Sequence, residues 1–329
     1  MAFAKSRWLH LPLGAVASVG LAYAAMRAIA WGDVATTFRE FPVAFALLSL
    51  IPLTAAMLLR AARWYVLIQD EQVSFGQVFV TQNTGIGLNN MLPVRMVSEP
   101  VQLALVTRRY HVPFPMALSS LVGGNVLDIF ATTILLTLGI VLVPGLRDGR
   151  IGIHLFGAFA MFVVSMMVFV AVSKGLSALP IMNRLDFFHR ILAAAELLRD
   201  KPARIWMSFA ATLGHWFLLG VAGFVLANGL DIDVDPLTMT TILVAATFFT
   251  SAMPSLPGGV GTYHFAVISM LTAMGFDSAP AFSFAVVMHV LVVVPPSAMA
   301  MVMLVRVGAD LLLRRSSEPP SLAETQRDT

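Results

Sequence analysis

Six long apolar runs constrain this chain more than any other feature, because each is long enough to cross a bilayer as a helix. A transmembrane helix needs about 20 apolar residues to cross a hydrocarbon core about 30 Å thick. The chain is 58% hydrophobic and only 12% charged, whereas soluble domains carry about a quarter charged residues. We therefore predict an all-α polytopic membrane protein. The predicted spans are 9–31, 43–67, 115–143, 151–173, 205–228 and 280–306.

Two further apolar stretches, 75–107 and 237–275, are interrupted in a way that an ordinary spanning helix is not. The first contains the sequence NNMLP at 89–93, and the second contains two prolines and three glycines between Met253 and Gly261. Proline removes a helical hydrogen bond, and glycine in a helix costs about 1 kcal/mol relative to alanine. Each stretch is therefore predicted to be a pair of helices that meet at a break.

Arginine and lysine cluster at one set of helix ends, which the positive-inside rule assigns to the cytoplasm. These basic positions agree with one another only if each broken stretch enters and leaves the membrane on the same side. We therefore predict two re-entrant hairpins, one entering from the cytoplasm and one from outside, in a cell (inner) membrane of a bacterium or archaeon, with both termini cytoplasmic. The basic positions are Lys5, Arg7, Arg60, Arg63, Arg108, Arg109, the loop from Lys174 to Arg204, Arg306, Arg314 and Arg315.

The order span, span, hairpin, span occurs twice, which predicts an inverted repeat. Repeat 1 covers about 9–143 and repeat 2 about 151–306, within a single transmembrane domain at 1–315. The polar segment 316–329 is predicted to be a disordered cytoplasmic tail.

Two segments have a second interpretation. The first span can be read as a cleaved signal peptide ending in Ala22-Tyr23-Ala24, although its removal would spoil the match between the two halves. Segment 178–199 is predicted to be an interfacial amphipathic helix, and a plain cytosolic linker is the alternative.

The two breaks are the predicted functional site. Non-helical backbone at membrane depth persists only inside protein or beside a wet cavity, since an unsatisfied backbone group in hydrocarbon costs several kcal/mol. Free N–H groups at Gly258, Gly259 and Gly261 would suit an anionic headgroup. The alternative is that proline and glycine only form a tight turn packed against its neighbours.

Ionisable residues inside spans are candidate functional groups because they are costly in the membrane. Asp128 lies in the middle of a predicted span, with Asn125 one turn earlier on the same face. Glu99 lies four residues after Arg95, so the two can pair on a helix, and Arg95 is alternatively a snorkelling anchor. Histidines near the second break are read either as interhelical contacts or as proton carriers. The candidate substrate-binding residues are Asn89, Asn90, Arg95, Glu99, Asn125, Asp128, Gly258, Gly259, Gly261, Tyr263, His264 and His289.

Enzyme and metal signatures are not found in the sequence. There are no cysteines, and the serine-hydrolase elbow, the H-E-x-x-H helix and the P-loop are missing. His264, His289 and Glu99 come from distant segments without metal-ligand spacing. We predict no enzyme activity, no cofactor and no nucleic-acid partner, since the excess of basic residues lies in loops.

Three stretches together resemble the transmembrane region of lysylphosphatidylglycerol synthases and the flippase-like membrane proteins that share it. They are RAARW at 60–64, NNMLP at 89–93 followed by Ser98-Glu99-Pro100, and PGGVGTYH at 257–264 followed by His289. Their order and spacing extend over nearly the whole chain.

The resemblance implies movement of a lipid between leaflets, with aminoacylated phosphatidylglycerol, polyprenyl-linked lipids or other lipids as cargo. Many members carry Glu at the position of His264. We expect an anionic or aminoacylated lipid headgroup as the partner, and a separate lipid-modifying enzyme, because too few residues follow Arg306 for an aminoacyl-transferase domain. Two alternatives are a non-transporting scaffold that holds lipid- or envelope-synthesis enzymes through the basic loop 174–204, and a small-solute or ion transporter with an enclosed pathway.

Overall fold

The computed structural model describes residues 19–21, 23, 27, 31–68, 73–92, 98–143, 202–252 and 256–317. Within these ranges the chain is helical and has no β-strand. The helices are α1 (Trp31–Arg39), α2 (Val43–Leu67), α3 (Phe75–Met91), α4 (Ser98–Arg109), α5 (Phe114–Leu142), α6 (Pro202–Asn228), α7 (Pro236–Ala252), α8 (Thr262–Ala273) and α9 (Ser278–Ser317), with a short 3₁₀ turn at Pro257–Gly259.

Among the described residues, four helices are long and apolar enough to cross a membrane, and they coincide with four of the predicted spans. They are Val43–Leu67, Phe114–Leu142, Pro202–Asn228 and Ser278–Arg306. Their bounds differ from the predicted ones by at most three residues. The chain is therefore a multi-pass, all-helical membrane protein.

Several predictions lie wholly or mostly outside the described residues. These are the span at 151–173, the amphipathic segment 178–199, the basic loop 174–204, Arg95 and the tail 316–329. In the first predicted span, residues 19–21, 23, 27 and 31 are described, and they are helical.

Both interrupted stretches are broken at the predicted places. The first forms α3 and α4, which end and begin on either side of the undescribed residues 93–97. The second forms α7, the 3₁₀ turn and α8. At 12 to 17 residues each, these helices are shorter than the roughly 20 residues that a full crossing needs.

A polar cap begins α3. The Ser74 hydroxyl accepts a hydrogen bond from the Gln77 backbone N–H at 3.3 Å, and the Gln77 side-chain oxygen accepts one from the Ser74 backbone N–H at 2.9 Å. This capping box satisfies two N–H groups that a helix start would otherwise leave unpaired.

Asp235 begins α7 in the same manner. Its Oδ1 accepts hydrogen bonds from the backbone N–H groups of Leu237 at 2.9 Å and Thr238 at 3.0 Å. Partial burial would raise the pKa of the Asp235 carboxyl, but hydrogen bonds from the Thr238 hydroxyl and these N–H groups outweigh it and hold that pKa below its usual value. The cap therefore depends on the ionised carboxylate.

Residues 32–39 lie between the first two predicted spans and are therefore expected in a loop, but with Trp31 they form the helix α1. Trp31 packs edge-on against Phe282 of α9, with ring centroids 5.5 Å apart. Val34 is buried against Ala279 and Phe282. These apolar contacts with the start of α9 account for the helix, because tertiary packing supplies most of the stability of a short helix.

The largest buried cluster joins α6, α7, α8 and α9, and α2 and α5 contribute Leu53 and Leu135. Several outward-facing apolar side chains are by contrast exposed, such as Ile51, which is 68% exposed on α2. In a multi-pass membrane protein these side chains face lipid, so the helical bundle is apolar both inside and outside.

Close packing between the broken helices and the spans depends on glycine. A Cβ atom at Gly87 of α3 would collide with the backbone carbonyl of Pro296 in α9. The same is true of Gly139 of α5 and Gly220 of α6, which would collide with threonines of α7. Small residues let membrane helices approach at backbone distance, and here they fix α3 and α7 against long spans.

Candidate functional site

A cavity of about 630 Å³ is lined by residues of α2, α3, α5, α6, α7 and α9, together with the start of α4, the 3₁₀ turn and the start of α8. Its size is in the range of ligand pockets, about 300–1,000 Å³. Eight of the twelve predicted site residues line it, namely Asn89, Asn90, Glu99, Asn125, Asp128, Gly258, Tyr263 and His289.

Asp128 is held on one side of this cavity by two donors. Arg63 Nη1 lies 2.8 Å from Asp128 Oδ1, and Trp216 Nε1 donates a hydrogen bond of 2.7 Å to the same oxygen. The Arg63 side chain is 6% exposed and that of Asp128 is 25% exposed. The other carboxylate oxygen, Oδ2, has no hydrogen-bond partner within the described ranges. Asp128 can therefore accept a hydrogen bond from a ligand while it neutralises Arg63.

Arg60, one turn before Arg63 on α2, supplies the second guanidinium. It lines the cavity, and its Nε atom is buried without a hydrogen-bond partner among the described residues. Its charge interacts with those of Asp128 and Glu99. Because Arg63 already has a carboxylate, Arg60 is the cation best placed to bind an anionic group.

Glu99 lies in the first turn of α4 and lines the cavity with an exposed side chain. The predicted pairing with Arg95 falls outside the described residues and stays a prediction. The neighbouring Ser98 accepts a 2.7 Å hydrogen bond from Gln102 Nε2. Gln102 packs against Gly85 of α3, where a Cβ atom would lie 2.6 Å from its Cγ. These contacts fix the start of α4 against α3.

The turn from Pro257 to Gly261 has the backbone geometry that its glycines predict. Gly258, Gly259 and Gly261 all have positive φ, at 67°, 80° and 88°. The N–H of Gly259 donates to the Leu256 carbonyl at 2.9 Å, and the N–H of Gly261 donates to His264 Nδ1 at 3.3 Å. Two of the three amides expected to face a ligand are thus engaged within the turn. Their role in substrate binding stays a prediction.

Two histidines attach this turn to α9. His289 Nε2 lies 2.8 Å from the Gly258 carbonyl oxygen, and His289 Nδ1 lies 3.3 Å from His264 Nε2. The Tyr263 ring stacks on His289 with centroids 4.9 Å apart. His264 is not among the cavity-lining residues, but it contacts His289, which is.

The two breaks meet at the cavity. A Cβ atom at Gly258 would lie 3.5 Å from the backbone oxygen of Asn90. The end of α3 therefore abuts the 3₁₀ turn directly.

Arg60, Arg63 and Trp216 complete the charged side of the cavity, and none of them is among the predicted site residues. Arg60 and Arg63 were assigned to membrane orientation, and Trp216 was not considered. His215 also lines the cavity, and its Nδ1 donates to the Ala56 carbonyl at 2.9 Å, which connects α6 to α2. The sequence feature that could have identified this side of the cavity is the pair of arginines, Arg60 and Arg63, within the predicted span 43–67. The described residues contain no group of three or more His, Asp or Glu arranged to hold a metal ion.

The fold and site define a polytopic helical membrane protein whose broken helices meet at a charged cavity. Residues 12–300 match the family model of the lysylphosphatidylglycerol synthase TM region. The chain therefore belongs to that family, in agreement with the resemblance of its three sequence stretches. This membership suggests a membrane protein that takes part in the modification or transport of lipid headgroups. A search of the curated proteins gives no match to the chain.

Proposed function

We propose that this protein moves the polar headgroup of a membrane lipid between the two leaflets through the cavity. The observation that carries the proposal is the charged cavity at the junction of two broken helices, inside a bundle with apolar outer faces. Charges such as Arg60, Glu99 and Asp128 are costly in a membrane unless they line a wet pathway or bind a polar ligand. A lipid headgroup is a polar ligand that is already present in the bilayer.

The chemistry of the cavity suits a phosphate-containing headgroup. Arg60 is available for the phosphate, because guanidinium groups form paired hydrogen bonds with phosphate oxygens. Glu99 and the free oxygen of Asp128 are available for an amine or hydroxyl group of the same headgroup. Asn89 Oδ1, buried without a hydrogen-bond partner among the described residues, is a further acceptor. An anionic, aminoacylated or polyprenyl-linked lipid fits this set.

The proposal includes a topology. The helix pairs α3–α4 and α7–α8 would form re-entrant hairpins that enter from opposite sides, within an inverted repeat of six spans and with both termini in the cytoplasm. Alternating access would then arise from movement of one repeat against the other around a fixed site. The acyl chains would remain in the bilayer, so the cavity would open laterally. The protein itself would catalyse no reaction, and a separate enzyme would produce any aminoacylated lipid.

Leaflet-resolved translocation tests this function. The protein is reconstituted into vesicles containing headgroup-labelled phosphatidylglycerol or lysylphosphatidylglycerol, and a membrane-impermeant quencher reports the label that remains protected. We expect Arg60→Gln and Asp128→Asn to slow translocation about tenfold or more, because a hydrogen bond to a charged group contributes about 1.5–3 kcal/mol. Asp233→Asn, a matched change in an exposed loop, should leave the rate unchanged.

The alternatives make different predictions in the same vesicles. Equal rates in the wild type and both cavity variants would exclude the cavity as the pathway. Rates no faster than in protein-free vesicles, for both lipids, would exclude the flippase function and favour a scaffold or a transporter of small solutes.

A further inference from the structure

His264 and His289 close a ring of hydrogen bonds on the Pro257–Gly261 turn. The ring runs from the Gly261 N–H to His264, from His264 to His289, and from His289 back to the Gly258 carbonyl, with contacts of 3.3, 3.3 and 2.8 Å. Gly261 is the N-cap of α8 and His264 occupies the N3 position. The His264 contact is thus the half of a capping box that a glycine N-cap permits.

The two ends of the ring determine where each proton lies. A backbone N–H only donates, so His264 Nδ1 is an acceptor and carries no proton. A neutral imidazole has one N–H, so the proton of His264 is on Nε2, where it donates to His289 Nδ1. The proton of His289 is then on Nε2, where it donates to the Gly258 carbonyl. Both rings are neutral, and each ring nitrogen has one partner.

A further proton has no place in this ring. As it stands, three N–H donors meet three acceptors. Protonation of either histidine adds a donor and removes an acceptor, so at least one contact changes to two N–H groups facing each other. We propose that His264 and His289 form a proton-binding site. Uptake of one proton would open the ring at a contact of His264, either with Gly261 or with His289. The turn would then be held more loosely, while His289 Nε2–H still donates to the Gly258 carbonyl. This inference does not depend on which solute or lipid the cavity carries.

Among the residues that the structure describes, no counter-ion contacts either histidine. Tyr263 stacks on His289, and α3 and α7, which pack against the turn and its neighbours, carry no titratable side chain. On α6 the nearest titratable group in the cavity is His215, which is bound to a backbone carbonyl of α2. The charged side chains that the structure describes on the remaining neighbouring elements are Arg60 and Arg63 of α2, Glu99, Arg108 and Arg109 of α4, Asp128 of α5, Arg204 of α6, Asp33 and Arg39 of α1, Asp277 before α9, and Arg306 of α9.

Loosening of the turn would alter the cavity where the two breaks meet. Gly258 lines the cavity and abuts the Asn90 backbone, so the wall between the breaks moves with the turn. A proton-controlled contact at this point links protonation to the width of the cavity at one of its ends.

A single spin label on the turn tests the proposal. The chain has no cysteine, so Val260→Cys introduces the only thiol, at a side chain that is 47% exposed. Label mobility is recorded by electron paramagnetic resonance in lipid nanodiscs from about pH 8 to about pH 4, a range that extends to the titration of buried histidines. We expect an immobilised label at the upper end and one transition to a mobile label on acidification.

Non-titrating variants identify the groups responsible. In His264→Gln and His289→Gln the amide can donate and accept but takes up no proton in this range, so the label should stay immobilised at every pH. His215→Gln, a matched change in the same cavity outside the ring, should keep the transition. A label whose mobility does not change with pH in the parent chain would overturn the proposal. So would a transition that persists in both ring variants.

Histidine nitrogen NMR on the unsubstituted chain gives a second test that no folding defect can affect. At about pH 8, above the range in which histidines usually titrate, the ring requires both His264 and His289 to be neutral and to carry the proton on Nε2. On acidification, one ring should acquire a second N–H in the same range as the label transition. An Nδ1–H tautomer at His264 at the upper pH would contradict the ring and remove the basis of the proposal.

Discussion

Removing the charge of Asp128 is predicted to destabilise the protein because it leaves Arg63 buried without a counter-ion. Asp128→Asn keeps an oxygen that can accept from Trp216 but carries no charge. Breaking a buried ion pair by removing one partner costs about 3–5 kcal/mol. The Asp128 side chain is 25% exposed, against 6% for Arg63, and solvent screening at the cavity lowers the expected loss to about 2–3 kcal/mol.

A double-variant cycle separates the pair from the individual side chains. The free energy of unfolding is measured by denaturant titration in detergent micelles for Asp128→Asn, Arg63→Gln and the double variant. Neither charge remains in the double variant, so it should be at least about 1 kcal/mol more stable than the sum of the single losses predicts. Strictly additive losses, or a loss below about 0.5 kcal/mol for Asp128→Asn, would refute the argument.

Three further predictions follow from packing, capping and hydrogen bonding, and each is measured as an unfolding free energy. Gly87→Ala should lower the free energy of unfolding by about 1–3 kcal/mol by overpacking the α3–α9 contact. Gly76→Ala is the control, because a Cβ atom there meets nothing within 4 Å, and it should be neutral or stabilising. Equal effects of the two substitutions would count against the close approach of α3 and α9. Asp235→Ala should lower the free energy of unfolding by about 1 kcal/mol. The pKa of Asp235 is lower in the folded protein than its usual value, so its stabilising contribution is present above the usual carboxyl pKa and is lost as pH falls through the folded pKa. Asp235→Asn should abolish this pH dependence. Trp216→Phe removes a hydrogen-bond donor to a carboxylate and should lower the free energy of unfolding by about 1.5–3 kcal/mol. Trp64→Phe removes a donor to the neutral Ser120 hydroxyl and should cost about 1 kcal/mol. The reverse order would show that the carboxylate contact is weak.

The spans and breaks could be predicted because the physics that determines them is local. A bilayer requires a fixed length of apolar helix, and proline and glycine act on the backbone where they occur. The sequences NNMLP at 89–93 and PGGVG at 257–261 therefore located both breaks without knowledge of the tertiary structure. The positive φ angles at the second break follow from the same reasoning.

The charged side of the cavity could not be predicted because it depends on which helices are neighbours. Arg63, Asp128 and Trp216 come from three helices that are far apart in the sequence. Hydrophobic periodicity carries no information about their contact. The positive-inside rule explains Arg60 and Arg63 at a helix end without any contact inside the protein, so the sequence alone does not indicate their position at the cavity.

The internal pairing of the glycine turn was, in contrast, available from the sequence. His264 lies three residues after Gly261, the spacing at which an N3 side chain reaches the N-cap N–H. This spacing favours the alternative of a packed turn over glycine amides that donate to a ligand.

The central claim is that a lipid headgroup enters the cavity, and headgroup photo-crosslinking tests it most directly. A phospholipid with a photoreactive group on its headgroup is incorporated into vesicles with the protein, and the adducts are located by peptide mass spectrometry. We predict adducts on cavity residues such as Asn89 and Asn125 that are reduced in Arg60→Gln. Adducts only at the membrane-facing ends of the helices, with none on the cavity lining, would contradict the claim.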